Sequence, residues 1–352
     1  MNTRKINNSV IRKALGVALS VALVLPLTAC GASSTSSNST DTSNSAGSSE
    51  TAESSDGKNT ATELHVAYQP IVGNIPLFIL KDENLIESAL KDKGYDVKVT
   101  YTEFESGPPE NEAFASQNVD LGNMGDVPAL SGIAAGQKRS LIGISYNGEQ
   151  IHSVLVKTDS DISTVSDLKG KKIGVVIGSS AQCFLSGLLN KNGLSLSDVE
   201  TVNISPGEQE AALSNGEVDA VAVWEPTPSR IVSDGVGKVL ADGTGVYESD
   251  APIIINDDYL DANPEIVKIF IDVYKEAVQK LQDDKETYIA KYADTLGLSK
   301  DVLTTALSKA SFPIDISDEN ISEIQKTADF LKENDLITTE LNVKDYIVTE
   351  IN

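Results

Sequence analysis

Two blocks of this sequence follow one plan, and the second block lies 99 residues after the first. With that shift and no gap, Ser106 falls on Ser205 and Asp126 falls on Glu225. Each block alternates short apolar runs with helical patterns in the order strand, helix, strand, helix, strand, which predicts a parallel sheet with flanking helices. Because 352 residues exceed what one small core needs, two compact lobes are expected. We predict an α/β protein in which two similar lobes enclose a ligand cleft.

Turn and capping residues place the helices of both blocks. Ser106 and Gly107, followed by two prolines, begin one helix, and residues 178–180 begin another that ends before Gly193. Earlier in the chain, Pro76 begins a helix that we expect to continue to Gly94. Further predicted helices, which we expect to pack outside one lobe, cover residues 264–280, about 284–296, 300–309 and 317–334.

The N-terminal residues have the pattern of an export signal. Four basic residues precede an apolar run from Ala14 to Leu27, which is short for a membrane span and typical of a signal peptide. The run ends in Leu27-Thr28-Ala29-Cys30, a pattern that resembles the lipobox of bacterial lipoproteins. We expect residues 1–29 to be removed and Cys30 to carry two acyl chains, which give a stable membrane anchor. The alternative is an ordinary signal peptide that contains a cysteine.

A stretch rich in Ser and Thr follows the cysteine. Of the 32 residues in 31–62, 17 are Ser or Thr and none is a large apolar residue, so this stretch cannot bury enough surface to fold. We expect residues 30–62 to be a disordered tether that joins the anchor to the folded body. The protein would then lie on the outer face of the cytoplasmic membrane.

Composition excludes several classes of function. The chain has 52 acidic and 28 basic side chains and a net charge of −24, so it repels nucleic acid and other polyanions. Two Cys and two His cannot build a disulfide framework or a zinc cluster. No GxGxxG, GxxxxGK[ST] or GxSxG motif is present. We therefore expect no metal, no cofactor and no enzymatic activity, and we expect Cys183 to be a buried thiol.

Two small polar loops lie where ligands of open α/β sheets bind, beyond the carboxyl ends of the strands. Ser106-Gly107 and Gly178-Ser179-Ser180 each precede a helix. Each loop therefore offers unpaired backbone N–H groups, a hydroxyl and the positive end of a helix dipole, which together make an anion site without a cationic side chain. The alternative is that these serines are ordinary helix caps.

Asp126 and Glu225 occupy matching places in the two blocks, after a strand and before a proline-containing segment. They either accept hydrogen bonds in the cleft, from an ammonium group or from serine hydroxyls, or act as caps and latches between the lobes. Trp224, the only Trp, precedes Glu225 and either walls the cleft or belongs to the core. His65 and His152 lie in strand-like contexts and are expected to be structural.

Several segments resemble one family. Residues 104–109 (FESGPP) and 119–128 (VDLGNMGDVP) resemble the first lobe of binding proteins for aliphatic sulfonates, taurine and nitrate. Residues 166–175 (SDLKGKKIGV), with 178–181 (GSSA), resemble the second lobe of these proteins. Residues 218–226 (VDAVAVWEP) resemble their signature strand and turn.

The resemblance covers roughly residues 63–280 and implies a type II periplasmic-binding-protein fold, in which the chain crosses twice between two lobes. The first lobe would comprise residues 63–148 plus 252–352, and the second lobe residues 149–251. The family implies a small anionic solute, such as taurine or an alkanesulfonate. The two matched lobes and the export signal lead us to expect that the lobes close around this solute by a hinge movement, and we expect a monomer. Its partners would be an ABC permease and the ATPase of that permease, with membrane contact through the lipid anchor only.

The sequence departs from the family pattern at two places. Gln182 stands where sulfonate binders often carry an aromatic residue or His, and residues 69–74 fit the family loosely. These departures bear on the identity of the ligand more than on the fold. The candidate ligand-binding residues are Gln69, Asn74, Ser106, Gly107, Asp126, Ser179, Ser180, Trp224 and Glu225.

Alternative functions remain on the same scaffold. The ligand could be nitrate, a thiamine or riboflavin precursor, or an aromatic acid. A lipoprotein of this kind could also present its ligand to a signalling receptor. A pyrimidine-synthesising enzyme related to thiamine-precursor binders shares the fold, but the export signal and the lack of a Cys cluster disfavour it.

Overall fold

The computed structural model describes residues 63–351 of the chain. The predicted signal peptide, Cys30 and the tether lie outside these residues. In the described part, no helix is both long enough and apolar enough to cross a membrane.

The described chain contains ten strands and twelve α-helices. The strands are β1 (Glu63–Tyr68), β2 (Lys98–Glu103), β3 (Leu121–Asn123), β4 (Arg139–Gly148), β5 (His152–Lys157), β6 (Lys172–Val175), β7 (Glu200–Asn203), β8 (Ala220–Trp224), β9 (Gly237–Asp242) and β10 (Ser249–Asn256). The helices are α1 (Ile75–Asp82), α2 (Leu85–Asp92), α3 (Gly107–Ala115), α4 (Asp126–Ala134), α5 (Ser180–Lys191), α6 (Pro206–Asn215), α7 (Thr227–Ser233), α8 (Asp257–Ala262), α9 (Pro264–Asp283), α10 (Lys285–Thr295), α11 (Lys300–Leu307) and α12 (Asp318–Glu333).

The strands form two five-stranded sheets with the same topology. The first sheet has the order β2-β1-β3-β10-β4 and the second has the order β7-β6-β8-β5-β9. In each sheet the first three strands are parallel, and the fourth is antiparallel to both of its neighbours. The predicted α/β class with two similar halves is therefore confirmed, and the 99-residue repeat corresponds to the shared topology.

The chain crosses between the sheets twice. It leaves the first sheet after β4 and enters the second at β5, then leaves the second after β9 and returns at β10. We call the first sheet with the helices packed against it the first lobe, and the second sheet with its helices the second lobe. The residue boundaries of the lobes that the sequence suggested stay predictions.

Alternating burial explains how the first sheet acquires a core on each face. In β10, Ile253 and Ile255 belong to the cluster that β1 forms with α1, α2 and α9, whereas Ile254 belongs to a second cluster with Phe114 of α3. Successive strand residues point to opposite faces, so an uninterrupted apolar run is typical of a strand buried on both sides. In the second lobe, α5 packs on β8, whose five residues are all buried.

One predicted helix is broken. The apolar pattern from Pro76 to Gly94 suggested a single helix, but α1 ends at Asp82 and α2 begins at Leu85. Between them Asn84 has a φ of 51°, a left-handed conformation that Asn tolerates better than most residues and that ends a right-handed helix. The break lets both short helices pack against α9.

The predicted C-terminal helices are confirmed to within a few residues as α9 to α12. Three of them begin with a side chain that caps the helix: Asp284 for α10, Ser299 for α11 and Ser317 for α12. The tail packs mainly on the first lobe, where α9 lies against α1 and α2 and α12 lies against α4. However, α11 also contacts α7 of the second lobe, so the tail touches both lobes.

Candidate functional site

A small cavity lies between the two lobes, beyond the carboxyl ends of their parallel strands. Its volume is about 20 Å³, which is room for about one water molecule. The lining residues come from both lobes: Gln69, Gly107, Gly125, Pro128, Tyr146, His152, Ser179, Ser180, Trp224 and Ser249. None of these side chains is acidic, and none is Lys or Arg.

Two helices direct their N-termini into this cavity, one from each lobe. The N-cap residues are Ser106 for α3 and Ser179 for α5, both buried, and neither hydroxyl caps its helix. The Ser179 hydroxyl instead donates to the carbonyl of Val176 at 2.7 Å. Without a side-chain cap, first-turn N–H groups stay available to an anion, and the helix dipoles favour negative charge at the same place.

The two N-terminal loops face each other across the cleft. Gly178 has a φ of 78°, a left-handed conformation that glycine adopts without strain. A Cβ placed on Gly178 would lie 3.8 Å from Cγ of Pro108, in the first turn of α3. A Cβ on Gly125 would lie only 2.2 Å from Oγ of Ser180, so a larger residue there would hold the lobes apart. The structure therefore represents a closed cleft.

The one acidic residue in these two first turns is Glu110 of α3. Glu110 is fully buried, and burial raises the pKa of its carboxyl to about 8, although Gln69 and Arg139 oppose the shift. At neutral pH the neutral form is therefore favoured, and the carboxyl does not cancel the positive end of the α3 dipole. Gln69 Nε2 donates to Glu110 Oε2 at 2.7 Å, which orients the Gln69 side chain at the cavity wall.

The loop after β1 is held in place by Asn74. Its side-chain amide donates to the carbonyl of Gln69 at 2.9 Å, and its side-chain oxygen accepts from Asn123 of β3. Asn74 is buried and is not part of the cavity wall. It positions Gln69 rather than reaching the cavity itself.

Asp126, the first residue of α4, joins the two lobes and the C-terminal tail. Ser180 of the second lobe donates its hydroxyl to Oδ1 at 2.7 Å, and Tyr247 donates to the same oxygen. Thr327 of α12 donates to Oδ2 at 2.7 Å, and the backbone N–H of Val127 donates to Oδ1 at 2.8 Å. Burial raises the pKa of Asp126, and these donors oppose the shift.

Glu225 makes the matching contact on the other side of the cleft. Its Oε1 lies 2.5 Å from Nζ of Lys309, which follows α11 in the C-terminal tail. Its Oε2 accepts from the backbone N–H of Ser229 at 3.3 Å. The Glu225 side chain is fully buried and Lys309 is partly exposed, so this ion pair also links the two lobes.

Aromatic and imidazole rings close the cavity. Trp224, at the end of β8, and Tyr146, near the end of β4, both line it. His152 lies between Trp224, Phe184 and Tyr247, with ring centroids 6.4, 5.9 and 5.4 Å away. Its place in the cavity wall was not expected from the sequence, which suggested a structural role.

Five of the nine predicted binding residues line the cavity: Gln69, Gly107, Ser179, Ser180 and Trp224. The other four do not line it: Asn74, Asp126 and Glu225 make the contacts described above, and Ser106 is the buried N-cap residue of α3. Their direct contact with a ligand stays a prediction. The wall also contains residues that sequence reasoning missed, chiefly Tyr146, His152 and Ser249.

No group of three or more His, Cys, Asp and Glu residues in 63–351 is arranged to hold a metal ion. Cys183 is buried on α5, as predicted. Burial raises the pKa of its thiol, which disfavours the reactive thiolate.

Comparison with known proteins gives one consistent family. The family model described as NMT1/THI5 like matches residues 90–287. A Bacillus subtilis (strain 168) protein named "Putative aliphatic sulfonates-binding protein" is 32% identical over 276 residues, which are 77% of this chain and 82% of that protein. An Escherichia coli (strain K12) protein of the same name is 30% identical over 287 residues, or 81% of this chain and 88% of that protein.

A solved structure agrees with these relatives. The alkanesulfonate-binding protein SsuA from Xanthomonas axonopodis pv. citri, bound to MOPS, superimposes with a TM-score of 0.75 and is 30% identical. The match covers 83% of this chain and 99% of that one. The two-lobed arrangement with its intervening cleft is therefore the fold of a periplasmic binding protein.

Proposed function

Because this chain belongs to the NMT1/THI5-like family, we propose that it is the solute-binding component of an ABC importer and that its solute is a small aliphatic sulfonate. One observation carries the proposal: two uncapped helix N-termini, one from each lobe, open into a single cavity whose wall has no charged side chain. A sulfonate is ionised at physiological pH and its oxygens only accept hydrogen bonds. Backbone N–H donors at helix N-termini suit such a group.

Lobe movement would admit and retain the solute. The cavity has a volume of about 20 Å³, which holds about one water molecule and is too small for an alkanesulfonate. The lobes must therefore separate to admit the solute, and they would close around it to a cavity wider than this one, which excludes water from the bound anion. The Asp126–Ser180 hydrogen bond and the Glu225–Lys309 ion pair join the lobes in the closed form. Closed, liganded protein would be what the permease recognises.

We extend the proposal to the location of the protein. The relatives and the fold support a binding protein that acts outside the cytoplasm. Removal of residues 1–29 and lipidation of Cys30 would attach it to the membrane, and residues 31–62 would give the folded part reach. No catalytic step belongs to this function, since the relatives named above are binding proteins.

A thermal-shift panel tests the choice of ligand. The purified chain is heated with ethanesulfonate, taurine, nitrate, sulfate and thiamine precursors, because a ligand that binds only the folded state raises the melting temperature. At a concentration 100 times the dissociation constant, the stabilisation is about 2.7 kcal/mol. We expect a rise with the sulfonates. A rise with nitrate or a precursor and none with any sulfonate would contradict the proposed ligand and leave the binding role intact.

A further inference from the structure

His152 occupies an unusual place in the cavity wall. It is the first residue of β5, directly after the chain crosses from the first lobe to the second. Its side chain is 3% exposed and lines the cavity together with Trp224. The ring thus lies where a ligand held between the lobes would meet it.

One nitrogen of this ring has no hydrogen-bond partner in the described part of the protein. Nδ1 is buried and has no hydrogen-bond partner within residues 63–351. Buried polar atoms without a partner are rare in native proteins, because each loses its hydrogen bonds to water without replacement. The other histidine, His65, shows the ordinary arrangement, with Nδ1 lying 2.8 Å from a carboxylate oxygen of Asp120.

The ring is uncharged at neutral pH because it is buried. Burial lowers the pKa of His152 to about 3, so at neutral pH one ring nitrogen carries a proton and the other does not. The ring can therefore donate one hydrogen bond without adding a positive charge to the wall. No Lys or Arg side chain lines the cavity to compete for an anion.

We propose that His152 contacts the ligand, donating a ring N–H to a sulfonate oxygen, and that it sets the preference of the cleft for sulfonates over carboxylates. This inference rests on the proposed sulfonate-binding function. A sulfonate has three acceptor oxygens, enough for the N-terminus of α3, the N-terminus of α5 and the His152 ring together. A carboxylate can accept as many hydrogen bonds, but its two oxygens and their lone pairs lie near one plane, so it meets donors that converge from three directions less well.

Calorimetric titration with ethanesulfonate and propionate, which have the same two-carbon tail, tests the proposal. His152→Phe keeps an aromatic ring in the pocket and removes both nitrogens. His152→Gln restores a side-chain donor, and His65→Gln is the matched control at a histidine remote from the cavity. We expect His152→Phe to weaken ethanesulfonate binding about tenfold and to reduce the selectivity over propionate. The Gln variant should recover part of the affinity, and the His65→Gln control should bind like the wild type.

A second measurement excludes a merely structural role. The sequence has two histidines, so the His65→Gln chain labelled with ¹⁵N reports the His152 ring alone. We expect its ring-nitrogen resonances to shift when ethanesulfonate is added. The role of His152 would be overturned if these resonances did not shift. It would also be overturned if His152→Phe bound ethanesulfonate within twofold of the wild type and kept its selectivity over propionate. Either result would leave the proposed function standing. If the wild type itself bound no sulfonate, both would fall.

Discussion

At the residue scale, the carboxylate of Asp126 collects hydrogen bonds from parts of the chain that are far apart in sequence. Its donors Ser180, Tyr247 and Thr327 are 54, 121 and 201 residues away. Both oxygens are thereby occupied, which favours the interpretation of Asp126 as a latch between the lobes over that of a ligand contact. Glu225 is occupied in the same way by Lys309 and Ser229.

Replacement of Asp126 by Ala should destabilise the protein strongly, because it leaves several buried donors without an acceptor. We expect a loss of about 3 kcal/mol or more in the free energy of unfolding, measured by urea denaturation. Thr327→Val removes one donor and keeps the shape of the side chain, so its expected cost is about 1 kcal/mol. Equal, small effects of the two variants would contradict the latch.

Glu110 should make stability depend on pH. Burial raises the pKa of its carboxyl from 4.5 to about 8, so between these values the folded state retains a proton that the unfolded state has released. Its stabilising contribution is fully present below about pH 4.5 and is lost as the pH rises through about 8, at a slope of at most about 1.4 kcal/mol per pH unit. In Glu110→Gln, the free energy of unfolding, measured by urea denaturation from pH 5 to 8, should fall less steeply with pH. Glu112→Gln, at an exposed site on the same helix, should leave the slope unchanged, and an unaltered slope in Glu110→Gln would refute the assignment.

The cleft should prefer ethanesulfonate to taurine. An ammonium group loses its hydration on entry and needs a carboxylate in return, but no acidic side chain lines the cavity and Asp126 and Glu225 are both engaged elsewhere. We expect a lower dissociation constant for ethanesulfonate in calorimetric titrations of the wild type. Tighter binding of taurine would show that one of these carboxylates leaves its partner for the ligand.

At the element scale, the N-terminus of α5 is the feature that the anion site depends on most. Ser180 is the first residue of this helix, and Ser179 before it is extended, with φ −98° and ψ 165°. Proline is tolerated at the first position of a helix and requires an extended residue before it. Ser180→Pro should therefore preserve the helix and remove one N–H from the site.

Ser180→Ala is the matched control, because it removes the hydroxyl and keeps that N–H. Both variants lose the hydrogen bond to Asp126, so this loss cancels when their affinities are compared. We expect Ser180→Pro to bind ethanesulfonate about tenfold more weakly than Ser180→Ala in calorimetric titrations. Equal affinities would mean that the α5 N-terminus does not hold the anion.

Much of the element structure could be predicted from the sequence, because its determinants are local. Gly107 and Ser180 begin helices as expected, since small polar residues and prolines act within a few positions of a helix start. The break at Asn84 could not be predicted because the apolar pattern continues through it. The left-handed backbone conformation of Asn84 depends on how α1 and α2 pack against α9. Local patterns do not report such tertiary preferences.

The site was only partly predictable, for the same reason. The helix N-termini could be predicted from the capping residues in the sequence. The partners of Asp126, however, lie up to 201 residues away, and no spacing rule relates Tyr247 or Thr327 to it. His152 looked structural because a strand pattern shows burial without showing what the buried ring faces. Its unpaired nitrogen becomes visible only when the second lobe is folded against the first.

At the scale of the whole molecule, the two latches lie on different parts of the interface between the lobes. Asp126 joins α4, α5 and α12, while Lys309 joins the end of α11 to the loop after β8. The C-terminal tail takes part in both, so it does more than cover the first lobe. Lobe opening must break both sets of contacts, which favour the closed form together with any anion bound between the lobes.

Cys183 provides a natural reporter of lobe closure. It lies on α5 of the second lobe but packs in a cluster with Val127 and Leu130 of α4 in the first lobe. The sequence has two cysteines, so in a Cys30→Ser chain the Cys183 thiol is the only one.

We expect saturating ethanesulfonate to slow labelling of Cys183 by a thiol reagent at least about tenfold, since the thiol reacts when the lobes part. Lys309→Met, which loosens one latch, should speed labelling of the unliganded chain. A labelling rate that ethanesulfonate does not change would argue against closure.

The most direct test of the central claim is isothermal titration of the wild-type chain with ethanesulfonate. If the two helix N-termini and the closing lobes form a sulfonate site, the titration should show saturable binding of one ligand per chain at micromolar concentration or below, with little competition from propionate. Absence of saturation at millimolar ethanesulfonate, in a sample shown to be folded, would contradict the assignment of this cleft to sulfonates.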